Sequence, residues 1–192
     1  MTLQLPAARE IIIEDGTFEI FNTSWFKYLE GVYRAIRGGS DIKLGGLLDI
    51  NTTSASNVGV GSTDMIEYTL PANTLTTTGD ILKIEAWGVY AANANNKTVT
   101  LEFGGQTILT TGSIAANAGS WKITASIIRT GASTQEIITE IISSNSSVTD
   151  SVTRTAGTQT LSNDLTIKCT STGGADDDIT QYSLLTNLFP NS

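Results

Sequence analysis

The residues Asp80-Ile81-Leu82-Lys83-Ile84-Glu85-Ala86-Trp87-Gly88-Val89-Tyr90 decide the fold class. Leu82, Ile84 and Ala86 fall on one side of an extended chain, and Lys83 and Glu85 on the other. A period of two is the signature of a β-strand with one face in a core. The alternation recurs in Trp121, Ile123, Ala125 and Ile127, and again in Leu165, Ile167 and Cys169. From Asp64 onward the chain divides into short runs separated by turn residues. These are Asp64–Leu70, Asp80–Tyr90, Thr98–Phe103, Gln106–Thr111, Ser120–Arg129, Thr134–Ser143, Val148–Thr155, Asp164–Thr170 and Ile179–Leu188. Such runs, spaced about 8–12 residues apart, mark an all-β sandwich or barrel. Gly104-Gly105 is the two-residue connection of a hairpin. Leu70-Pro71 ends a strand, because proline lacks the donor a ladder needs. Trp87 is placed to cap one end of the core, and Gly88 to let a neighbour approach closely. The expected fold is mainly β, a jelly-roll-like β-sandwich over residues 64–192. An immunoglobulin-like sandwich is the rival, although the cysteine pair of antibody domains is absent.

Residues 1–63 lack this alternation and predict an arm, a helix and a linker that serve attachment and trimerisation. Leu3 to Ala8, with Pro6, reads as an extended arm that is ordered only by lying on something else. Ile11, Ile12 and Ile13 form a short apolar run before the turn signal Asp15-Gly16. Asn22-Thr23-Ser24 supplies caps for one amphipathic helix, Trp25 to Arg37, which Gly38-Gly39 ends. Trp25, Leu29, Val32 and Ile36 make a single apolar seam along it. That seam packs either on the chain's own sheet or against symmetry mates or a partner. Ser40 to Thr63 is rich in Gly, Ser, Asn and Thr and reads as a linker or a loosely held crossover.

Composition narrows the function. The 192 residues carry a net charge of −8, which repels phosphate backbones and anionic lipid, so nucleic-acid binding is not expected. No apolar run approaches the ~18 residues of a membrane span, and the N-terminus lacks the pattern of a signal peptide. There is no histidine and only one cysteine, Cys169. Serine–histidine and cysteine–histidine nucleophiles, histidine-ligated zinc and thiolate metal sites are thereby removed. Cys169 lies in an alternating run and reads as a buried core thiol. No cofactor is expected.

The remaining candidates are binding groups. Asp176, Asp177 and Asp178 form the densest acidic cluster, either a Ca²⁺ site or a solvated loop; the spacing lacks the EF-hand pattern. Asn93, Asn95 and Asn96 offer amides to a sugar or simply build a turn. The loops Asn93–Lys97 and Gly173–Asp178 are expected to be exposed. Glu67, Glu85, Glu102, Glu136 and Glu140 lie in strand runs, and nothing selects a hydrolytic pair among them. Trp87, Tyr90, Trp121 and Tyr182 are either sugar-stacking rings or packing residues. Gly38-Gly39 and Gly45-Gly46 lack the Gly-Lys-Ser/Thr ending of a phosphate loop.

Four blocks carry a family resemblance: Tyr68 to Leu75, Gly79 to Gly88, Ala91 to Val99, and Phe103-Gly104-Gly105. Together they resemble a β-domain of tailed-bacteriophage virion structural proteins, of the tail-fibre type. The Trp25-Phe26 helix resembles a short element near the N-termini of small phage tail and fibre-associated proteins. The resemblance implies a non-enzymatic virion component, made in the bacterial cytoplasm and exposed on the particle as a homotrimer. Its implied partners are itself and phage capsid or tail proteins. It carries no catalytic residues to transfer. No shaft repeat is present, so a stubby fibre, a head fibre or a capsid decoration protein suits the length. The alternative is a receptor-binding tip that contacts a host-surface glycan or protein.

Overall fold

The computed structural model describes residues 12–14, 17–19, 45–115 and 118–191. Two compact units result, Met1–Leu44 with Ser192, and Gly45–Asn191. In the first, Ile12–Glu14 (β1) and Thr17–Glu19 (β2) pair antiparallel, with Glu14 opposite Thr17 across the Asp15-Gly16 signal. The expected arm Leu3 to Ala8, Ile11 and the helix with Trp25, Leu29, Val32 and Ile36 lie outside the described residues.

The second unit is a jelly-roll-like sandwich of two antiparallel sheets. Its strands are Gly46–Asn51 (β3), Ala55–Ser56 (β4), Gly61–Leu70 (β5), Ile81–Tyr90 (β6), Asn96–Phe103 (β7) and Gln106–Thr110 (β8). They continue as Ile114–Ala115 (β9), Gly119–Gly131 (β10), Thr134–Ser143 (β11), Ser151–Gly157 (β12), Leu165–Gly173 (β13) and Ile179–Phe189 (β14). The large sheet runs β12-β11-β10-β6-β14-β3, with β4 also on β14. The small sheet runs β5-β13-β7-β8, with β9 on β7. The chain passes back and forth between sheets from β5 to β7, from β8 to β10 and from β12 to β14, which winds the two layers into one barrel-like sandwich.

The alternating residues meet between the layers. Leu82, Ile84 and Ala86 of β6 and Trp121, Ile123, Ala125 and Ile127 of β10 are all buried. Val99, Leu101 and Phe103 of β7 and Leu165, Ile167 and Cys169 of β13 face them from the small sheet. Each such aliphatic or aromatic side chain contributes about 1.5–3 kcal/mol on burial. Gly104 (φ 58) and Gly105 (φ 82) both take the left-handed conformation that a tight hairpin demands, and β7 and β8 pair across them.

Cys169 is fully buried, and loss of solvation pushes its thiol up to about 12 against a small opposing hydrogen bond from Gln181. We expect no reaction with a thiol reagent at pH 8 until the chain unfolds; labelling faster than unfolding would refute the packed core at β13.

Two differences from the sequence expectation stand out. The linker assigned to Ser40 to Thr63 contains β3 and β4, both paired with β14. This stretch has few apolar side chains, but its backbone groups complete the ladder at the β14 edge, and Asn57 behind it is buried. The strand expected at Val148 starts at Ser151 instead. Val148 donates its backbone N–H to Asn145 O at 3.0 Å, and Asp150 Oδ1 accepts from Ser143 N at 2.8 Å, so these residues form the turn.

Candidate functional site

Strand register decides what the sandwich presents to its surroundings. On the outer face of the large sheet, Phe189, Ile81, Ile128, Glu136 and Ala156 line up across β14, β6, β10, β11 and β12. The next row is Leu47, Asn187, Lys83, Ser126, Ile138 and Arg154. Ile50, Leu185, Glu85, Thr124, Glu140 and Val152 follow, and then Trp87, Lys122 and Ile142. Leu47, Ile50, Ile138, Ile142, Val152 and Phe189 are exposed. In the middle of this face is an open hollow of about 390 Å³, floored by Thr124 and Ser126 and walled by Ile138, Val152, Lys83, Glu85 and Glu140.

The charges of this face cancel. Lys83, Lys122 and Arg154 oppose Glu85, Glu136 and Glu140, so the net −8 of the chain lies elsewhere. Lys122 Nζ is 2.7 Å from Glu85, and Arg154 Nε is 2.6 Å from Glu136. The hydrogen bond from Arg154 holds the Glu136 carboxyl below the usual range.

The outer face of the small sheet is chemically opposite. Its rows read Thr69 and Thr166; Glu67, Lys168, Glu102 and Thr107; Asp64, Thr170, Thr100 and Thr110; Ser62, Thr172 and Thr98. None of these side chains is apolar. Lys168 Nζ sits 2.8 Å from Asp64 and 3.9 Å from Glu102, and the Asp64 hydrogen bond raises its affinity for the proton. One sheet therefore presents a wholly polar outer face, and the other intersperses exposed apolar side chains with paired charges.

The loops expected at a ligand site meet at one end of the sandwich. Residues 174–177 are exposed, as expected of the Gly173–Asp178 loop, but Asp178 itself is buried. Its carboxylate accepts from Asn93 Nδ2, from Asn95 Nδ2 at 3.0 Å, and from the backbone N–H groups of Gly174 at 2.7 Å and Ala175 at 2.8 Å. Lys97 is likewise buried and donates to Asn93 Oδ1 at 2.8 Å and Asn95 O at 3.0 Å. Asn57, in the segment read as a linker, donates to Ala175 O at 2.6 Å and accepts from Ile179 N at 2.8 Å. The amides of Asn93 and Asn95 are thus turned inward onto Asp178. Asn96 opens β7 with its side chain exposed, Asp177 is exposed at φ 57, and Asp176 Oδ1 accepts from Gly59 N. Among the described residues no group of three or more metal-ligating side chains is placed to hold an ion.

The other sequence candidates separate. Tyr90 and Trp121 are core residues with ring centroids 6.4 Å apart, while Tyr182 is exposed. Glu67 and Glu102 flank Lys168 on the small sheet; Glu85, Glu136 and Glu140 lie on the large one. The apolar residues of this face escaped sequence reasoning because they come from six strands, brought together only by register.

Fold and surface together define a β-sandwich protein with one outer face of mixed apolar and paired charged side chains and one polar outer face. No protein-family model matches the chain, and no curated protein matches it. Among solved structures it is similar to lectin I-B4 from Griffonia simplicifolia in its metal-free form, at 11% identity and a TM-score of 0.35. That match covers 81% of this chain and 97% of the lectin. A likeness of this degree carries no argument about function. Among the described residues no helix is long and apolar enough to cross a membrane.

Proposed function

We propose that the chain is a non-enzymatic structural component of a bacteriophage virion, a homotrimeric head-fibre, stubby tail-fibre or capsid-decorating protein. The segment before residue 45 attaches it to capsid or tail proteins, and copies of the sandwich associate through the large sheet. The observation that carries this reading is the contrast between the two outer faces. An apolar, charge-balanced face costs solubility unless a partner covers it, whereas the threonine-rich face suits permanent contact with water. The phage-like blocks Tyr68 to Leu75 and Gly79 to Gly88 lie on β5, on β6 and in the turn between them, in the body of the sandwich.

Sedimentation of the full chain is expected to give a trimer that adheres to phage particles lacking this protein. Removing residues 1–21 should abolish particle binding and leave the β-rich circular dichroism spectrum intact. A monomeric full chain, or undiminished particle binding after truncation, would refute the proposal.

A second reading, recognition of the host surface, is favoured by the loop end. There the buried Asp178 network holds three loops together while Val58 and Val60 stay exposed beside them. Binding of the isolated protein to host cells, rather than to particles, would select it.

A further inference from the structure

The loop end of the sandwich holds an amine, an amide and a carboxylate in a line. Lys97 is only 1% exposed, yet none of the ion pairs among the described residues includes it. Its Nζ donates to three neutral oxygens: Asn93 Oδ1 at 2.8 Å, Asn95 O at 3.0 Å and Asn93 O at 3.2 Å. The other end of the Asn93 amide is held by a buried carboxylate, since Nδ2 donates to Asp178 Oδ1. A buried ammonium that faces only dipoles is costly, and losing its charge would relieve that cost. We infer that Lys97 and Asn93 join in a self-catalysed isopeptide bond, with Asp178 as the acid–base group.

The step balances without any further reactant. Lys97 gives one proton to water, and the free Nζ lone pair forms a bond to Asn93 Cγ while the carbonyl pair moves onto Oδ1. Cγ lies one carbonyl bond beyond Oδ1, so it is at most about 4 Å from Nζ, and the fold has already brought the two groups together. The carbonyl then re-forms and the Cγ–Nδ2 bond breaks. Nδ2 leaves as ammonia with the second Nζ proton, which Asp178 carries to it. The proton first lost to water makes the ammonia ammonium, so the positive charge departs with it. Asn93 is the electrophile because Lys97 reaches Asn95 only at its backbone oxygen. Asp178 keeps its bonds from Asn95, Gly174 and Ala175 throughout. The bond ties the start of β7 to the loop before it. It forms once per chain, so it involves no turnover and does not depend on the trimer reading.

Mass spectrometry of the full chain, folded near neutral pH and followed over days, tests this directly. The intact mass is expected to fall by that of one ammonia. Trypsin, applied after unfolding, should then fail to cut after Lys97 and release residues 84–122 as one peptide, since Lys83 and Lys122 are the flanking cleavage points. Chain held in urea from the start should keep its full mass, as should Lys97→Met. Asp178→Asn should slow the loss by about a hundredfold. A full mass in wild type whose circular dichroism shows the folded sandwich would overturn the inference. So would a loss of ammonia with normal cleavage after Lys97, which would place it at another amide. Equal loss in urea or in Lys97→Met would overturn it too, and an undiminished rate in Asp178→Asn would remove Asp178 from the step.

Discussion

Replacing Gly88 with alanine is expected to destabilise the sandwich by about 3 kcal/mol, at the upper end of what overpacking a core costs. Gly88 sits on the inner side of β6, opposite Trp121 on β10 and Gln181 on β14. A methyl group there would lie 2.6 Å from the Trp121 ring and in hard contact with the Thr180 carbonyl oxygen. Neither neighbour yields easily. The carbonyl belongs to the β14 backbone, and the indole is 2% exposed, packed beside Tyr90. Urea denaturation of wild type and variant measures the loss. Trp121→Ala should cost about 3–5 kcal/mol alone. Because the two residues share one space, the double variant should lose less than the sum of the singles. A Gly88→Ala midpoint indistinguishable from wild type would mean that the indole does not lie across β6 as described.

Asp178→Asn is expected to cost about 3 kcal/mol, because it exchanges an acceptor-only carboxylate for an amide whose NH₂ faces donors. Asn93, Asn95, Gly174 and Ala175 all donate to this carboxylate, and each would compete for the single remaining oxygen. The loss should depend on pH. Burial alone would raise the Asp178 carboxyl; hydrogen bonds from Asn93, Gly174, Asn95 and Ala175 outweigh it and hold the group below its ordinary value. A carboxyl lowered in the folded state stabilises fully above its unfolded pKa, about 3.9, and loses that contribution as pH falls through the folded value. The gap between wild type and Asp178→Asn should therefore be widest near neutrality and shrink below pH ~4. Unfolding midpoints at pH 7, 5, 4 and 3 check this. A gap constant across that range would show that the carboxylate's charge contributes nothing to the loop cluster.

Both sites show what the chain's own pattern reveals and where it stops. Gly88 was marked in the sequence as a point of close approach, because a glycine inside a strand removes a side chain for a reason. What approaches it could not be read, since Trp121 and Thr180 lie far along the chain. The acidic run poses the opposite problem. Asp176, Asp177 and Asp178 are identical in type and adjacent, yet only Asp178 is buried. The difference arises from where β14 begins and from neighbouring loops that fold over the residue just before it.

The sequence by itself determined the long central strands. Alternation in Asp80–Tyr90, Ser120–Arg129 and Asp164–Thr170 defined which side chains enter the core, and Gly104-Gly105 defined a hairpin, because these are properties of neighbours in the chain. The lack of histidine also leaves these residues without histidine-based chemistry. Tertiary structure alone decided the pairing of β3 and β4 with β14, the burial of Asp178 and Lys97, and the assembly of an apolar outer face from β3, β6, β10, β11, β12 and β14. Each of these depends on register between segments remote in sequence, and a shift of one residue in that register would turn every outer side chain inward.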